Sequence, residues 1–272
     1  MTTGMDFMAA VVEKKRGRLK DAQAGASFYN LRASAYDVRS NASRHALRKA
    51  LSNERQVNVI AEIKRASPSK GDLGLSATVA ETASAYSRGG AVAVSVLTEE
   101  DYFRGSLADL RAVRRAVSLP VLRKDFIFDD YQVYEAAAAG ADALLLIVAV
   151  LDDETLQRLR TVTETELGMD ALVEVHTLEE MMRAAASGAS LIGVNNRNLH
   201  TFEVSIDVSL ELRDAAPAGA VLVSESGLKT GVDLKRLRDV GYHGFLIGEA
   251  LVASKDPESA LRGMIEEAGD NN

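Results

Sequence analysis

From residue 57 onward, short apolar runs rich in β-branched residues alternate with longer segments whose apolar positions recur near i, i+3 and i+4. Eight runs read as strands: 57–64, 91–97, 119–124, 143–148, 171–175, 191–195, 221–225 and 244–248. The intervening segments 77–88, 107–117, 130–139, 152–166, 178–186 and 232–240 read as helices. Several of these helices run into a glycine before the next strand, at Gly89, Gly140, Gly188 and Gly241, the residue suited to follow a helix C-terminus. Strands that are apolar along their whole length are buried on both faces, as in a parallel sheet. Eight such units of about 20–35 residues predict an α/β fold, a closed (β/α)8 TIM barrel. The rival is an open doubly wound sheet, which the strand count and the lack of a Gly-x-Gly-x-x-Gly after the first strand both disfavour. Segments 5–23 and 42–51 also read as helices, with Met8, Val11, Val12, Lys15 and Leu19 on one face of the first. The expected organisation is an N-terminal helical extension, residues 1–56, followed by a barrel, residues 57–272.

Composition narrows the function classes. The 272 residues carry 32 basic and 39 acidic side chains, a net charge of -7, so there is no global basic field for nucleic acid or an anionic membrane. An anionic ligand must be held by local groups. No apolar run approaches the roughly 20 residues of a membrane span, and residues 1–19 are too charged for a secretory signal, so a cytoplasmic protein is expected. The absence of cysteine excludes disulfides, thiolate metal sites and cysteine nucleophiles. His45, His176, His200 and His243 lack metal-ligand spacing and read as structural or surface groups. The run Glu99, Glu100, Asp101 reads as a solvated loop.

Catalytic groups of a (β/α)8 barrel lie at the C-terminal ends of its strands. The first strand ends Glu62-Ile63-Lys64, which puts a carboxylate and an ammonium on one side and Ile63 on the other. Such a pair is either a buried ion pair kept for fold specificity or an acid/base pair at the mouth of a site. The later strand ends add Lys124, Glu174, Asn195, Glu225 with Ser226, and Gly248. Each has a structural alternative: Lys124 facing solvent beside Arg123 and Asp125, Glu174 paired with a structural lysine, Asn195 capping a turn. Their occurrence together around one rim favours a shared site. Ser226-Gly227 and Gly248-Glu249 occupy consecutive loops where barrels of this kind bind phosphate through backbone N–H groups. Glu249 suits that place only if its carboxylate points away from the anion. Phe103 and Phe126 stand in loop or strand-end positions and either line an aryl pocket or fill the core.

The motifs Glu62-Ile63-Lys64-Arg65-Ala66-Ser67-Pro68-Ser69, Thr98-Glu99 with Tyr102-Phe103, Lys124-Asp125-Phe126-Ile127, Leu172-Val173-Glu174-Val175-His176, Gly193-Val194-Asn195-Asn196-Arg197-Asn198-Leu199, Ser224-Glu225-Ser226-Gly227 and Ile247-Gly248-Glu249-Ala250-Leu251 resemble the indole-3-glycerol phosphate synthase family. They run from residue 59 to 251 in the family's order, and Glu249 stands where some members carry serine. The resemblance implies a carboxy-lyase of tryptophan biosynthesis. Its substrate is 1-(2-carboxyphenylamino)-1-deoxyribulose 5-phosphate, and its products are indole-3-glycerol phosphate, CO2 and water. It implies Lys124 as general acid of ring closure, and Lys64 and Glu174 with Glu62 in dehydration. Asn195 and Glu225 orient the ribulose hydroxyls and the lysines, and Arg197 holds the carboxylate or braces its loop. Ser67, Ser226, Gly227 and Gly248, with Glu249 in the same loop, hold the phosphate, while Phe103 and Phe126 lie against the aryl ring. No cofactor or metal is implied. The implied partner is the phosphorylated small molecule, bound by a monomer or weak homo-oligomer open to contact with other tryptophan-pathway enzymes.

Three rival readings of the same strand ends exist. Phosphoribosylanthranilate isomerase uses a Cys/Asp pair that this chain lacks. A Schiff-base aldolase needs a nucleophilic lysine at a strand end. A non-catalytic phosphosugar-binding barrel has no need of two lysines together with Glu174.

Overall fold

The computed structural model describes residues 4–68, 71–74, 77–198 and 201–269. Ser69, Leu199 and His200, named above, lie outside these residues. Three helices precede the first strand: α1 (Gly4–Gly25), α2 (Phe28–Ser40) and α3 (Ala46–Leu51). The chain then alternates β1 (Val59–Ile63), a two-residue antiparallel ladder of β2 (Ala66–Ser67) and β3 (Gly71–Asp72), α4 (Val79–Arg88), β4 (Ala93–Leu97) and α5 (Leu107–Ala116). Next come β5 (Val121–Lys124), α6 (Asp130–Ala138), β6 (Ala143–Ile147), α7 (Asp153–Thr161), β7 (Asp170–Val175) and α8 (Leu178–Ala186). The last part holds β8 (Leu191–Asn195), α9 (Asp207–Leu212), β9 (Val221–Glu225), α10 (Gly231–Asp239), β10 (Gly244–Ile247), α11 (Glu249–Val252) and α12 (Pro257–Gly269). Eight strands close in the order β1-β10-β9-β8-β7-β6-β5-β4, each paired parallel with its neighbours. The predicted eight-stranded barrel is the fold observed.

Alternation along each strand divides the apolar residues between two cores. Ala61 and Ile63 of β1, and Val173 and Val175 of β7, face outward into the large cluster beneath the helices. Ile60, Leu122, Leu172, Val223 and Leu246 face inward and fill the barrel, joined by Leu47 and Leu51 of α3. That helix sits at the N-terminal end. A Cβ on Gly244, the first residue of β10, would lie 2.7 Å from Leu51 Cδ2, and Asn58 Nδ2 donates to the carbonyls of Leu51 and His243. The next inward positions, Glu62 and Glu174, are polar, so the packed interior gives way to a site two residues further along the strands.

Helix starts obey local chemistry. Thr78, Asp129 and Thr230 form reciprocal capping boxes with Glu81, Gln132 and Asp233, which moves the start of α4 from the expected residue 77 to Val79. The expected helix 42–51 shrinks to Ala46–Leu51, because His45 turns left-handed (φ 51°) and donates its backbone N–H to Gly168 O. The segment 152–166 splits into α7 and a π-helical turn, Val162–Glu166.

α2, α9 and α12 are additions to the predicted set. α2 buries only Ala35 and Arg39, and its anchor is polar. The Arg39 guanidinium donates to the carbonyls of Leu167, Ala141, Gly168 and Ser43 and to Asp142. On α1, Met8, Val11 and Lys15 are buried on one face, as its pattern requires. Lys15 belongs there because its Nζ lies 2.7 Å from Asp125 Oδ1, next to Lys124 in the chain.

Candidate active site at the C-terminal mouth

Above the inner apolar layers, the strand ends and the loops that follow them enclose a cavity of about 900 Å³. All fourteen side chains and glycines singled out from the sequence line it. Glu62 and Lys64 point to the same side, with Lys64 Nζ 2.9 Å from Glu62 Oε1. Lys124 faces the cavity rather than solvent. Its neighbours Arg123 and Asp125 are buried and paired with each other at 2.9 Å, Arg123 also with Glu135 of α6 and Asp125 also with Lys15 of α1.

Lys124 is the hub of the site. Its Nζ donates to Glu174 Oε2 at 2.9 Å and to Glu225 Oε2 at 2.6 Å. Burial opposes the ammonium charge, but Glu174, Glu225 and Glu62 outweigh it and raise Lys124 well above the ordinary lysine value. The two carboxylates diverge. Burial works against Glu174 too, yet Lys124 and His176 overcome it and hold Glu174 below the usual carboxylate range. Burial, aided by the neighbouring Glu174, instead pushes Glu225 up to about 7 against the pull of Lys124. Among the described residues Glu225 Oε1 is buried without a hydrogen-bond partner.

Two glycines make room for these carboxylates. A Cβ on Gly193 would lie 2.1 Å from Glu225 Oε1, and one on Gly248 would lie 2.5 Å from Glu62 Oε1. Gly248 therefore serves the Glu62 side chain as well as its own loop. Ser226 and Gly227 both adopt left-handed backbone (φ 66° and 81°), a conformation that costs a non-glycine residue roughly 1–2 kcal/mol. Buried Asn196 holds the turn by donating to Ser226 O and Ser224 Oγ while accepting from Ser209. Arg197 donates to Phe202 O and lies 3.9 Å from Glu249 Oε2, so the Glu249 carboxylate is turned toward a cation.

The expected solvated run Glu99, Glu100, Asp101 is corrected. Glu99 is 1% exposed, and its carboxylate accepts the backbone N–H groups of Asp101, Tyr102 and Phe103. Glu100 and Asp101 pair with Lys15 and Arg18 of α1. A buried acceptor for three orphan donors is what makes this loop hold Phe103 at the cavity. Two further aromatics were not singled out. Phe7 of α1 packs edge-on against Tyr102 and Phe202, and both Phe7 and Phe202 line the cavity. His45 and His243 are structural, bonded to Asp170 and to the Leu222 N–H. His176 touches Glu174 and so belongs with the site. The motif Leu172-Val173-Glu174-Val175-His176 put it one inward-facing position beyond Glu174, a signal that metal-ligand spacing alone passes over.

A family model described as indole-3-glycerol phosphate synthase matches residues 8–264. An indole-3-glycerol phosphate synthase of Carboxydothermus hydrogenoformans is 50% identical over 259 residues, covering 94% of this chain and 98% of its own length. One of Mycolicibacterium gilvum is 54% identical over 209 residues, 77% of this chain and 76% of its own. Among solved structures, a 3-hexulose-6-phosphate synthase superimposes with a TM-score of 0.63 at 14% identity, over 78% of this chain and 99% of that one. At that identity the likeness shows the barrel alone. The strand-end constellation and the match along nearly the whole chain agree, and the chain belongs to the indole-3-glycerol phosphate synthase family, carboxy-lyases of tryptophan biosynthesis.

Proposed function

We propose a division of labour among the cavity residues for the family's reaction, in which 1-(2-carboxyphenylamino)-1-deoxyribulose 5-phosphate closes to a ring, loses CO2 and then loses water. In ring closure the aryl carbon bearing the carboxylate attacks the ribulose ketone, and negative charge develops on the ketone oxygen. Lys124 stabilises that oxygen and protonates it. Its raised pKa suits this role: the ammonium is charged when the ketone is attacked, and the alkoxide that forms is basic enough to take its proton. Breaking the bond to CO2 then leaves its electron pair in the ring and restores aromaticity. In dehydration Lys64, paired with Glu62, donates a proton to the departing hydroxyl, and Glu174, kept ionised, accepts the proton lost from the ring system. Asn195 and Glu225 orient the ribulose hydroxyls.

Ser67, Ser226, Gly227, Gly248 and the backbone of Glu249 hold the phosphate. Phe103 and Phe126 contact the aryl ring. Arg197 braces its loop, a reading supported by its bond to Phe202 O. Residues 1–56 serve the barrel of 57–272 as an extension rather than as an independent unit, supported by the buried Lys15–Asp125 pair. The protein works in the cytoplasm as a monomer or weak homo-oligomer, open to contact with enzymes of neighbouring steps. Among the described residues no helix is long and apolar enough to cross a membrane.

The observation that carries this reading is the Lys124 ammonium between Glu174 and Glu225 on the cavity wall. Lys124→Ala is expected to abolish ring closure, whereas Glu174→Gln forms the ring and accumulates a decarboxylated, undehydrated intermediate. Pre-steady-state fluorescence and rapid quench separate the two. Equal loss of the first step in both variants refutes the division.

A further inference from the structure

Behind the cavity wall, His176 stands between two carboxylates on different elements. Its Nδ1 lies 3.0 Å from Glu180 Oε2 on α8, and its backbone N–H donates to the same oxygen at 2.7 Å. Its Nε2 is buried and points toward Glu174 Oε1 of β7, 3.4 Å away, an ion-pair distance without hydrogen-bond alignment. The side chain is 7% exposed and is not among the residues that line the cavity.

This contact makes the two carboxylates around Lys124 unequal. Glu174 has a cation opposite each oxygen, Lys124 at Oε2 and His176 at Oε1. Among the described residues Glu225 has one cation, at Oε2, while its Oε1 is buried with no hydrogen-bond partner beside Gly193. Two buried carboxylates sharing one ammonium compete for the proton that the pair retains, and the less stabilised anion takes it. We propose that His176 is a positioning residue: braced by Glu180, its imidazolium fixes the Glu174 carboxylate toward Lys124 and keeps it anionic, so that the proton shared within the site rests on Glu225. Among the described residues the charged groups that face it are Glu174 from β7 and Glu180 from α8. Burial opposes its protonation, but the close contacts with these two carboxylates, and their negative charge, prevail and raise the imidazole to about 9, so the charge persists at neutral pH.

The inference rests on the role given to Glu174 above, and one arm of its test is independent of turnover. In 15N-labelled wild-type protein, NMR is expected to show both ring nitrogens of His176 protonated at pH 7. A neutral ring at that pH overturns the proposal whatever the activity. Glu180→Gln is expected to bring the imidazole titration below pH 8, and an unchanged titration refutes the bracing. In His176→Asn the Glu174 carboxyl takes up protons at higher pH. The ratio of variant to wild-type kcat therefore falls about tenfold for each unit by which pH drops below the new value, with KM within about twofold. A purely structural role predicts a lower melting temperature and the same pH profile, and that outcome overturns the proposal. If His176→Asn does not fold, Glu180→Gln must reproduce the pH-dependent fall in kcat, and its failure to do so is equally decisive.

Discussion

Gly193 never touches the cavity, yet replacing it with alanine tests the arrangement around Lys124 directly. The new Cβ would lie 2.1 Å from Glu225 Oε1, 3.2 Å from its Cδ and 3.3 Å from Leu172 Cδ1. Real Cβ atoms do not approach closer than 3.0 Å, so the Glu225 carboxylate has to move. Moving it breaks the 2.6 Å bond to Lys124. A charge-assisted hydrogen bond contributes about 1.5–3 kcal/mol, and overpacking a filled interior costs about 1–3 kcal/mol more. A combined loss of about 2.5–6 kcal/mol is expected. With an unfolding entropy of about 2.1 cal/mol/K per residue, a chain of 272 residues then melts about 4–11 °C lower.

Misplacing a group by about 1 Å in a preorganised site lowers the rate on the order of 100-fold, so kcat is expected to fall by that factor with KM little changed. Scanning calorimetry and steady-state assay read the two effects. The double-mutant cycle isolates the cause: in a Glu225→Ala background there is no carboxylate to clash, and Gly193→Ala is expected to cost less than about 1 kcal/mol. If Gly193→Ala keeps the wild-type melting temperature and kcat, or costs as much in the Glu225→Ala background as in the wild type, the reasoning fails.

Two further outcomes follow from the ion pairs. Glu225 has a folded-state pKa raised to about 7, so the stability that its protonated form contributes is present below the unfolded carboxyl value and is lost as pH climbs toward 7. Glu225→Gln removes that loss, and urea titrations from pH 5 to pH 8 are expected to show the variant gaining on the wild type as pH rises; a constant difference refutes the assignment. Lys15→Met strips one of two cations from buried Asp125, which keeps Arg123, and is expected to cost about 2–3 kcal/mol, whereas Arg18→Ala, an exposed pair, costs under about 1 kcal/mol. Equal melting temperatures for those two variants contradict this ranking.

The barrel was legible because burial on both faces leaves strands apolar along their length, and the site because inward positions such as Glu62, Lys124, Glu174 and Glu225 break that rule at matching heights. Some strands start up to two residues later than their apolar runs because lead-in residues are buried too, as with Val57 and Asn58 ahead of β1. What stayed hidden is polar chemistry directed inward. α2 is held by Arg39, a residue that an apolar pattern assigns to the surface, and Glu99 looked solvated because its partners are backbone N–H groups, which carry no residue signature. His176 was read for metal spacing, while its partners, Glu174 and Glu180, sit two residues before it and four after it.

The α3 plug also determines how matter moves through this molecule. With Leu47 and Leu51 packed into the same cluster as Ile60, Leu122 and Leu172, the floor of the vessel is sealed. Exchange with solvent falls to the opposite end, where the strand-end loops rim the cavity as its doorway. Floor and doorway are thus separate engineering problems: repacking Leu47 or Leu51 changes how long the container lasts under heat, and changing the rim alters what passes through it.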